Sequence, residues 1–383
     1  MPMPWDFSKL SGVPAVYPAD GFHAPGVQAL FYETMPCQGR PTRSFAWMGV
    51  PRRHDGAKVP GIVLVHGGGG TAFDYWVRLW NARGYAAIAM DTCGAVPRPD
   101  QGPYGESRPR HAYSGPNGWG DFGNAMREPE EQWPYHAVAD VLLAHSLLRA
   151  QPGVDAERIG ITGISWGGYL TSIAAGVDPR FRFAMPVYGC GFLNEGSSWQ
   201  HYNFPVMPPE AAERWLALWD PKHYLSAMDR PMCWVNGTND FAYFMPSHRE
   251  SYRLPTGPRT VCIRLEMPHG HGGLGENPRE LHVFADACVR GEAPLARVAA
   301  SGLAGRTLWA TYQSERPILR AELVYTRATG YWPDRKWNIL PARIDTAAHR
   351  ADADLPPETT ACFINLFDDR DCVVSSEFLE PEG

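Results

Sequence analysis

The chain has 383 residues, of which 44% are hydrophobic and 12% aromatic, and its formal net charge at pH 7 is −6. This length and composition allow a complete α/β core and leave material for a second domain. The negative charge provides no basic surface for polyanions, and no apolar segment approaches the length of a membrane span. We therefore expect neither a nucleic-acid partner nor membrane contact.

The N-terminus and the cysteines bear on the cellular compartment. The first seven residues, Met1 to Phe7, lack the basic region and apolar core of a secretory leader. We expect a cytoplasmic protein as the sequence is written, and a secreted or periplasmic one if a leader has been removed from it. The eight cysteines lack the spacing of a metal site or a disulfide framework, so we expect most to be reduced core residues. Cys362 and Cys372 flank a turn and could form a disulfide.

The first predicted elements are two antiparallel strands within residues 27–50, joined by a turn at 36–39. After them, short apolar runs alternate with segments of helical period, which predicts a doubly wound, mostly parallel sheet with helices on both faces. In chain order the predicted elements are strand 62–65, helix 73–83, strand 85–90, helix 134–150, strand 158–162, helix 167–176, strands 183–188, 231–236 and 260–266, and a final helix near 278–290.

From about residue 301 the pattern changes to short runs of period two, separated by Gly, Pro and Asp turns. These runs predict a small antiparallel β-sandwich, and their ranges are 307–312, 318–325, 361–366 and 373–378. We therefore divide the chain into a larger α/β domain, 1–300, and an accessory domain, 301–383. The accessory domain could bind glycan, brace the larger domain or mediate dimerisation. Trp332 and Trp337 would form the glycan platform, although core packing is the favoured role for them.

The segment 158–169 combines a buried strand, a serine and a small-residue helix. In a Gly-x-Ser-x-Gly turn, the strand and helix backbones meet too closely for Cβ atoms two residues before and after the serine. Gly163 and Gly167 satisfy that requirement around Ser165, which we predict to be a nucleophile. The alternative, in which Ser165 only caps a helix, is weaker because the carboxyl edge of a parallel sheet is where ligands bind.

A glycine-rich loop follows the strand 62–65, and it reads His66 and then four glycines, 67–70. Glycines leave backbone N–H groups unobstructed, so such a loop can donate hydrogen bonds to a developing oxyanion. We assign Gly68 and Gly69 to this role, together with the N–H of Trp166. A phosphate-binding loop is disfavoured because the run lacks both Gly-x-Gly-x-x-Gly and a Lys-Ser/Thr ending.

A serine nucleophile needs a histidine that takes its proton and a carboxylate that orients the histidine. Asp240 follows one of the last predicted strands, so we expect it at the same sheet edge as Ser165. His269 and His271 both follow the final predicted strand. We favour His269 as the base because it is closer to the strand, whereas His271 lies between glycines and could shape the pocket. The His-x-His pair also permits a metal site, but no metallohydrolase Asp or Glu motif accompanies it, so we expect no metal.

Two long aromatic-rich segments interrupt the alternation, at 92–133 and 191–224. Insertions of this length in a compact domain are usually functional, and we expect the first to form an ordered wall and the second a lid. Their aromatic residues and histidine are Tyr104, Tyr113, Trp119 and Trp133 in the first, and Trp199, His201, Tyr202, Phe204, Trp215 and Trp219 in the second.

Four side chains near these segments and the predicted strand ends are candidates for substrate contact. We assign this role to Trp119, Tyr188, Trp199 and His271. Flat aromatic rings suit the C–H faces of sugars, so these walls fit a carbohydrate ester. The alternative is that the tryptophans only pack the lid onto the core.

The motifs Gly-Ile-Ser-Trp-Gly-Gly, His-Gly-Gly-Gly-Gly, Asn-Gly-Thr-Asn-Asp and Met-Pro-His-Gly-His together resemble those of the α/β-hydrolase superfamily, over roughly residues 25–300. Within it the chain is similar to dienelactone-hydrolase-like enzymes and especially to acetyl xylan esterase-type carbohydrate esterases. The resemblance implies the α/β-hydrolase fold, a Ser-His-Asp triad and no cofactor. A dienelactone hydrolase proper uses a cysteine nucleophile, so the serine at position 165 favours an esterase.

These observations predict a serine carboxylic-ester hydrolase that deacetylates carbohydrate esters through an acyl-enzyme. Its substrate would be a small-molecule or oligosaccharide ester, and a homo-oligomer is compatible with the sequence. Two alternatives stay open, namely a serine peptidase of the same fold and a non-catalytic carbohydrate-binding protein on a hydrolase scaffold.

Overall fold

The computed structural model describes residues 3–98 and 108–381, and a nine-stranded sheet forms the centre of its larger domain. The strands of this sheet are β1 (Val16–Pro18), β2 (Gln28–Cys37), β3 (Arg40–Gly49), β4 (Val59–Val65), β5 (Ala86–Met90), β6 (Val154–Ile164), β7 (Ala184–Val187), β8 (Met232–Gly237) and β9 (Arg259–Arg264). Their spatial order is β1-β2-β3-β5-β4-β6-β7-β8-β9. The pairings among β1, β2, β3 and β5 are antiparallel, and those from β5 through β9 are parallel.

Eight α-helices accompany the sheet within the described part of the chain. They are α1 (Phe7–Leu10), α2 (Asp74–Ala82), α3 (Trp133–Arg149), α4 (Trp166–Val177), α5 (Ser198–Tyr202), α6 (Pro209–Trp219), α7 (Met245–Arg253) and α8 (Arg279–Arg290). Helix α3 packs against α4, whereas Trp80 of α2 contacts His282 of α8, as expected for helix pairs on opposite faces. None of the helices in residues 3–98 and 108–381 is long and apolar enough to cross a membrane.

The winding direction of the sheet reverses at β4, because β5 lies on one side of β4 and β6 on the other. Strands β4 and β6 run parallel, and Val65 is in register with Gly163 at their carboxyl ends. In open α/β sheets a ligand site forms where neighbouring strands continue to opposite faces. The loops after β4 and β6 therefore open at the position where this fold favours a site.

The predicted fold class, a doubly wound and mostly parallel sheet with a small C-terminal antiparallel domain, is confirmed. Strands β2 and β3 form the predicted antiparallel pair, and the predicted core elements are present with small shifts of their ends. Helix α7 was not predicted from the sequence. Its sequence, MPSHRESYR, is mostly polar and shows too weak an apolar period to indicate a helix.

Two four-stranded antiparallel sheets form the accessory domain. Their strands are β10 (Arg297–Ala304), β11 (Thr307–Gln313), β12 (Ile318–Thr326), β13 (Trp337–Pro341), β14 (Arg343–Asp345), β15 (Arg350–Asp354), β16 (Ala361–Asp368) and β17 (Val373–Ser375). The sheet orders are β10-β11-β15-β14 and β13-β12-β16-β17, and the two sheets pack against each other. The first strand begins at Arg297, slightly before the predicted boundary at 301.

The accessory domain covers the edge strand β9 of the large sheet. The backbone N–H of Ile263 donates to the Ser375 hydroxyl at 2.8 Å, and the Asn365 amide donates to the Ile263 carbonyl at 3.1 Å. The Val373 N–H donates to the buried Glu280 carboxylate of α8 at 2.8 Å. These bonds satisfy polar groups that an exposed edge strand would leave open. The two domains are thus joined by buried hydrogen bonds.

The structure decides two possibilities that the sequence left open in the accessory domain, and for Trp332 and Trp337 it confirms core packing, the favoured role. Trp332 and Trp337 are 4% and 7% exposed, so they are core residues and offer no flat surface to a glycan. Cys362 and Cys372 are free buried thiols. A disulfide between them is ruled out in this fold because Cys362 lies near the start of β16 and Cys372 beyond its end, about 20 Å along an extended strand.

Because His248 of α7 is buried, we expect the folding stability of the protein to decrease in acid. His248 is 1% exposed, neither ring nitrogen has a hydrogen-bond partner among the described residues, and burial lowers its pKa to about 3. Unfolding restores a pKa near 6.5, so the unfolded state binds the extra proton and folding stability falls as the pH drops below about 6.5. The unfolded state of the His248→Leu variant cannot bind this proton, because leucine has no titratable group. Between pH 8 and pH 5 it should lose about 2 kcal/mol less unfolding free energy than the wild type.

Urea unfolding at the two pH values measures this difference. The exposed His223 provides the matched control, because His223→Leu should follow the wild type. An identical pH dependence for wild type and His248→Leu would contradict the prediction.

Candidate active site

Ser165 stands at the sharp corner between β6 and α4. Its backbone has φ +58° and ψ −119°, a conformation that is strained for a residue with a side chain. The corner is held because the Ser165 N–H donates to the Val187 carbonyl and its carbonyl accepts from the Tyr169 N–H, both at 2.9 Å. This geometry is the strand-to-helix elbow that the sequence pattern predicted.

Close backbone contacts explain the glycines of the elbow. A Cβ atom on Gly163 would lie 2.2 Å from the Gly167 carbonyl oxygen, and one on Gly167 would lie 2.0 Å from the Val65 carbonyl oxygen. Both distances are far below van der Waals contact. The elbow and the end of β4 therefore approach each other as closely as they do only because these positions lack side chains.

The substitution Gly167→Ala should disrupt this approach. Because the clash is with backbone, the elbow must shift, and we expect a loss of about 3 kcal/mol or more of unfolding free energy, together with most of the ester hydrolysis that the sequence predicts. Thermal unfolding and a turnover assay measure both effects. Gly123→Ala is the matched control, since a Cβ atom there meets nothing within 4 Å. Wild-type stability and activity in Gly167→Ala would contradict the described elbow.

The loop after β4, residues 66–70, is called the oxyanion loop below. The Gly70 N–H donates to the Gly67 carbonyl at 3.0 Å, and Gly69 takes φ +71°, so residues 67–70 form a tight turn. Gly68 and Trp166 line a common pocket with Ser165. Gly69 lies outside that pocket wall, and its carbonyl accepts a hydrogen bond from the Arg108 guanidinium. Of the predicted oxyanion donors, Gly68 and Trp166 are placed at the pocket.

His269 and Asp240 form a direct pair. The Nδ1 atom of His269 lies 2.6 Å from Oδ2 of Asp240, and Oδ1 of the same carboxylate accepts from the N–H groups of Ala242 at 2.9 Å and Tyr243 at 2.7 Å. An ionised carboxylate accepts all three bonds, so His269 carries its proton on Nδ1 and directs Nε2 away from Asp240. His269 and Ser165 line the same pocket.

Aromatic rings hold the His269 imidazole on two sides. Tyr188 stacks on it with ring centroids 4.4 Å apart, and Phe241 lies at 4.6 Å. Tyr188 is fully buried, and its hydroxyl donates to the Pro268 carbonyl at 2.8 Å. The expectation that Tyr188 contacts substrate is therefore corrected, because its ring lies behind His269 and its polar atom is already bonded.

The accessory domain holds the turn that carries Asp240. The indole N–H of Trp332 donates to the Thr238 carbonyl at 3.0 Å. The Asn239 side-chain amide donates to the carbonyls of Pro333 and Arg335, both at 2.7 Å. The two residues before Asp240 are thus fixed by the second domain, which links that domain to the geometry of the site.

His271 forms a second histidine–carboxylate pair. Its Nδ1 lies 2.8 Å from Oε1 of Glu276, and its Nε2 accepts the Gly67 N–H at 2.9 Å. Burial alone would raise the pKa of Glu276, but hydrogen bonds from His271 and Tyr75 outweigh it and lower the pKa, so the carboxylate is ionised. Glu276 was not predicted from the sequence. The feature that could have indicated it is a carboxylate at the end of the glycine-rich loop that follows His271.

The pocket has a volume of about 380 Å³ and receives walls from the oxyanion loop, the elbow, the turn after Asp240, the histidine loop and α5. Trp199 and His271, two of the predicted substrate contacts, line the pocket. Phe241, which is 59% exposed, adds an aromatic wall that was not predicted. Trp119 lies behind the wall, with an atom 3.7 Å from a Cβ position on Gly68. The predicted wall residue Tyr104 lies outside the described residues.

Three tryptophans of the long segments are structural. Trp133, Trp215 and Trp219 are fully buried, and their indole N–H groups donate to the Thr92 carbonyl, the Gly120 carbonyl and the Gln132 side chain. Trp215 and Trp219 join the second segment to the first, whereas Trp133 braces the first segment internally; the packing alternative anticipated such structural roles. Across the described ranges, no three His, Cys, Asp or Glu side chains converge in a group that could hold a metal ion.

Two family models match the chain, each over just under half of it. The acetyl xylan esterase family matches residues 16–195, and the prolyl oligopeptidase family matches residues 112–286. Among solved structures, the acetyl xylan esterase from Paenibacillus sp. R4 is 20% identical with a TM-score of 0.56, covering 73% of this chain and 91% of that one. Acetyl xylan esterase 1 from Thermoanaerobacterium sp. JW/SL YS485 is 17% identical with a TM-score of 0.52, covering 71% and 90%.

Two curated relatives are also similar in sequence. Dipeptidyl-peptidase 5 of Porphyromonas gingivalis is 25% identical over 223 residues, and the uncharacterized peptidase YuxL of Bacillus subtilis is 24% identical over 213 residues. Each match covers 51% of this chain but only 28% of the relative's length. These similarities show the α/β-hydrolase fold and a resemblance to acetyl xylan esterases and to the prolyl oligopeptidase family.

Proposed function

We propose that this chain is a serine carboxylic-ester hydrolase that removes acetyl groups from carbohydrate esters. The observation that carries the proposal is the pocket in which the strained Ser165 faces the same space as His269, whose Nδ1 is held by the buried carboxylate of Asp240. A serine that shares a pocket with a histidine held by a carboxylate can perform nucleophilic acyl transfer.

The reaction proceeds in two steps. Ser165 Oγ attacks the ester carbonyl while His269 Nε2 takes its proton, and the N–H groups of Gly68 and Trp166 stabilise the tetrahedral oxyanion. His269 then protonates the leaving alcohol. Water, activated by the same imidazole, hydrolyses the acetyl-enzyme, and Asp240 stabilises the imidazolium in both steps.

The substrate class follows from the walls and the family similarity. Trp199 of α5 and Phe241 flank the nucleophile, and flat rings of this kind can pack on the C–H faces of a sugar. The acetyl xylan esterase model spans the oxyanion loop and Ser165. Both observations support an acetylated sugar as the alcohol part of the ester.

A serine peptidase is the second candidate. The prolyl oligopeptidase model covers Ser165, Asp240 and His269, and both curated relatives carry peptidase names. The same nucleophile and base would attack an amide by the same steps, so substrate assays must separate the two reactions.

Hydrolysis of p-nitrophenyl esters from acetyl to octanoyl, beside acetylated xylan and aminoacyl p-nitroanilides, tests the proposal. Preference for acetyl with acetate release from xylan supports it. Turnover of the anilides above the esters supports the peptidase, and a rate that rises with acyl length indicates a general carboxylesterase. Glycan binding without turnover of any substrate would favour a non-catalytic carbohydrate-binding protein.

A further inference from the structure

The oxyanion loop is held by two histidines, of which the proposed reaction uses neither as its base. Burial lowers the pKa of His66 to about 4, so this ring is neutral near pH 7. Its Nε2 accepts the Thr92 N–H at 3.1 Å, which leaves the proton on Nδ1, and Nδ1 lies 2.8 Å from the Gly67 carbonyl oxygen. His271 Nε2 accepts the N–H of the same Gly67 at 2.9 Å.

Both polar groups of Gly67 are therefore fixed, and this fixes the direction of the next N–H group. Within a trans peptide, the Gly67 carbonyl and the Gly68 N–H point in opposite directions. The carbonyl is bound by His66 and by the Gly70 N–H, so the Gly68 N–H is aimed the other way, and Gly68 lines the pocket. Releasing the Gly67 N–H would free the loop to rotate at its first glycine.

Glu276 sets the proton position of His271. Its Oε1 accepts from His271 Nδ1 at 2.8 Å and from the Tyr75 hydroxyl of α2 at 2.5 Å. Its Oε2 accepts the N–H groups of Gly272 at 3.0 Å and Gly273 at 2.9 Å. The Glu276 side chain accepts four hydrogen bonds, as an ionised carboxylate does. His271 therefore donates from Nδ1 and presents a lone pair on Nε2.

We propose that His271 is a positioning residue for the oxyanion loop and that it works only as a neutral imidazole. A proton on Nε2 would face the Gly67 N–H, and two donors cannot share a hydrogen bond. The inference rests on the proposed esterase function, because it assigns His271 to the aim of the Gly68 N–H toward the substrate oxyanion. Activity then requires two neutral histidines, His269 as base and His271 as acceptor.

The surroundings of His271 are mixed in charge. From its own loop it faces Glu276, it lines the pocket together with His269, and from α2 Tyr75 reaches the same Glu276 carboxylate. The rings of Phe73 and Trp76 pack edge-on at 4.8 Å and 6.4 Å. The charged or titratable groups on neighbouring loops are His66, which interacts with His271 electrostatically, and Arg108 at the Gly69 carbonyl.

The test measures kcat and KM for p-nitrophenyl acetate from pH 4.5 to 8.5 in the full-length chain. His271→Gln keeps a carbonyl acceptor near the former Nε2 position and cannot be protonated, whereas His271→Leu keeps bulk without an acceptor. The exposed His223→Gln is the control for loss of one histidine. Thermal unfolding of each variant checks that it is folded.

We expect His271→Leu to lower kcat about 10- to 100-fold with KM nearly unchanged, and His271→Gln to stay within about fivefold of wild type. At the acid end, log(kcat/KM) should fall less steeply with decreasing pH in His271→Gln than in the wild type, because the glutamine acceptor cannot be protonated. If His271→Leu does not fold, Glu276→Gln replaces it. Because an amide at position 276 no longer holds the His271 proton on Nδ1, this variant should lower kcat with KM nearly unchanged, as His271→Leu does.

An unchanged acid slope in His271→Gln, or full kcat in folded His271→Leu, would overturn the inference and leave the esterase proposal in place if Ser165→Ala is inactive. Activity in Ser165→Ala would instead overturn the proposed function. An inactive His271→Gln beside an active His269→Ala would make His271 the general base, and both the inference and the assignment of His269 would fail.

Discussion

Ser165→Ala should lower the hydrolysis of p-nitrophenyl acetate by about 10,000-fold or more while the protein remains folded. Without Oγ no acyl-enzyme forms, and the oxyanion donors can assist only a direct attack by water. Alanine has nearly the same volume, and the strained backbone at position 165 is held by the Val187 carbonyl and the Tyr169 N–H, so the elbow should persist. Initial rates and thermal unfolding of both proteins measure the two effects.

A surface serine supplies the comparison for that experiment. Ser226 is exposed and belongs to a short helical turn away from the elbow, so Ser226→Ala should retain wild-type turnover. A fluorophosphonate should label the wild type and Ser226→Ala at one site and leave Ser165→Ala unlabelled. Substantial activity or labelling in Ser165→Ala would show that another group performs the attack.

His269→Ala should have an effect of similar size, a loss of about 10,000-fold or more in kcat. The variant keeps the nucleophile and the oxyanion donors but has no group that takes the serine proton. Because the ring is held between Tyr188 and Phe241, its removal leaves a cavity of imidazole size beside Asp240. Added imidazole should therefore restore part of the activity, as measured by a titration of the variant.

Two further variants serve as comparisons for the imidazole experiment. Ser165→Ala should gain nothing from imidazole, since its defect is the missing nucleophile. Asp240→Asn should lose roughly 10,000-fold because the amide cannot hold the same tautomer of His269. Near-normal turnover in His269→Ala would make His271 the base, despite the bond between His269 and Asp240.

The hydrogen bonds between the accessory domain and the turn of Asp240 give that domain a place in the site. Trp332 and Asn239 join the two domains directly beside the carboxylate, and β9 is joined to Ser375 and Asn365. A domain that fixes a site residue through buried bonds should not be removable without loss of activity. The buried position of Trp332 and Trp337 argues against a separate glycan platform at these residues.

The fold could be predicted well because its signals are local. The strands β4 and β6 and the buried helix α3 contain continuous apolar runs that can be recognised within a few residues, and turns rich in glycine and proline separate them. The missed helix α7 is mostly polar, and its burial depends on Trp234 and the accessory domain rather than on a strong period of its own. The disulfide expectation failed because ten residues of sequence separation can be an extended strand.

By itself the sequence determined the elbow, the glycine-rich oxyanion loop and the alternating α/β pattern, since each depends on steric limits within a short segment. Only the tertiary structure decided which partner each side chain meets. It paired His269 with Asp240, joined His271 to Glu276 and the distant Gly67, and placed Tyr188 behind the His269 ring. Glycines on both sides of His271 leave its direction open in the sequence, and contacts with Gly67 after β4, with Glu276 and with the rings of Phe73 and Trp76 supply the missing constraint.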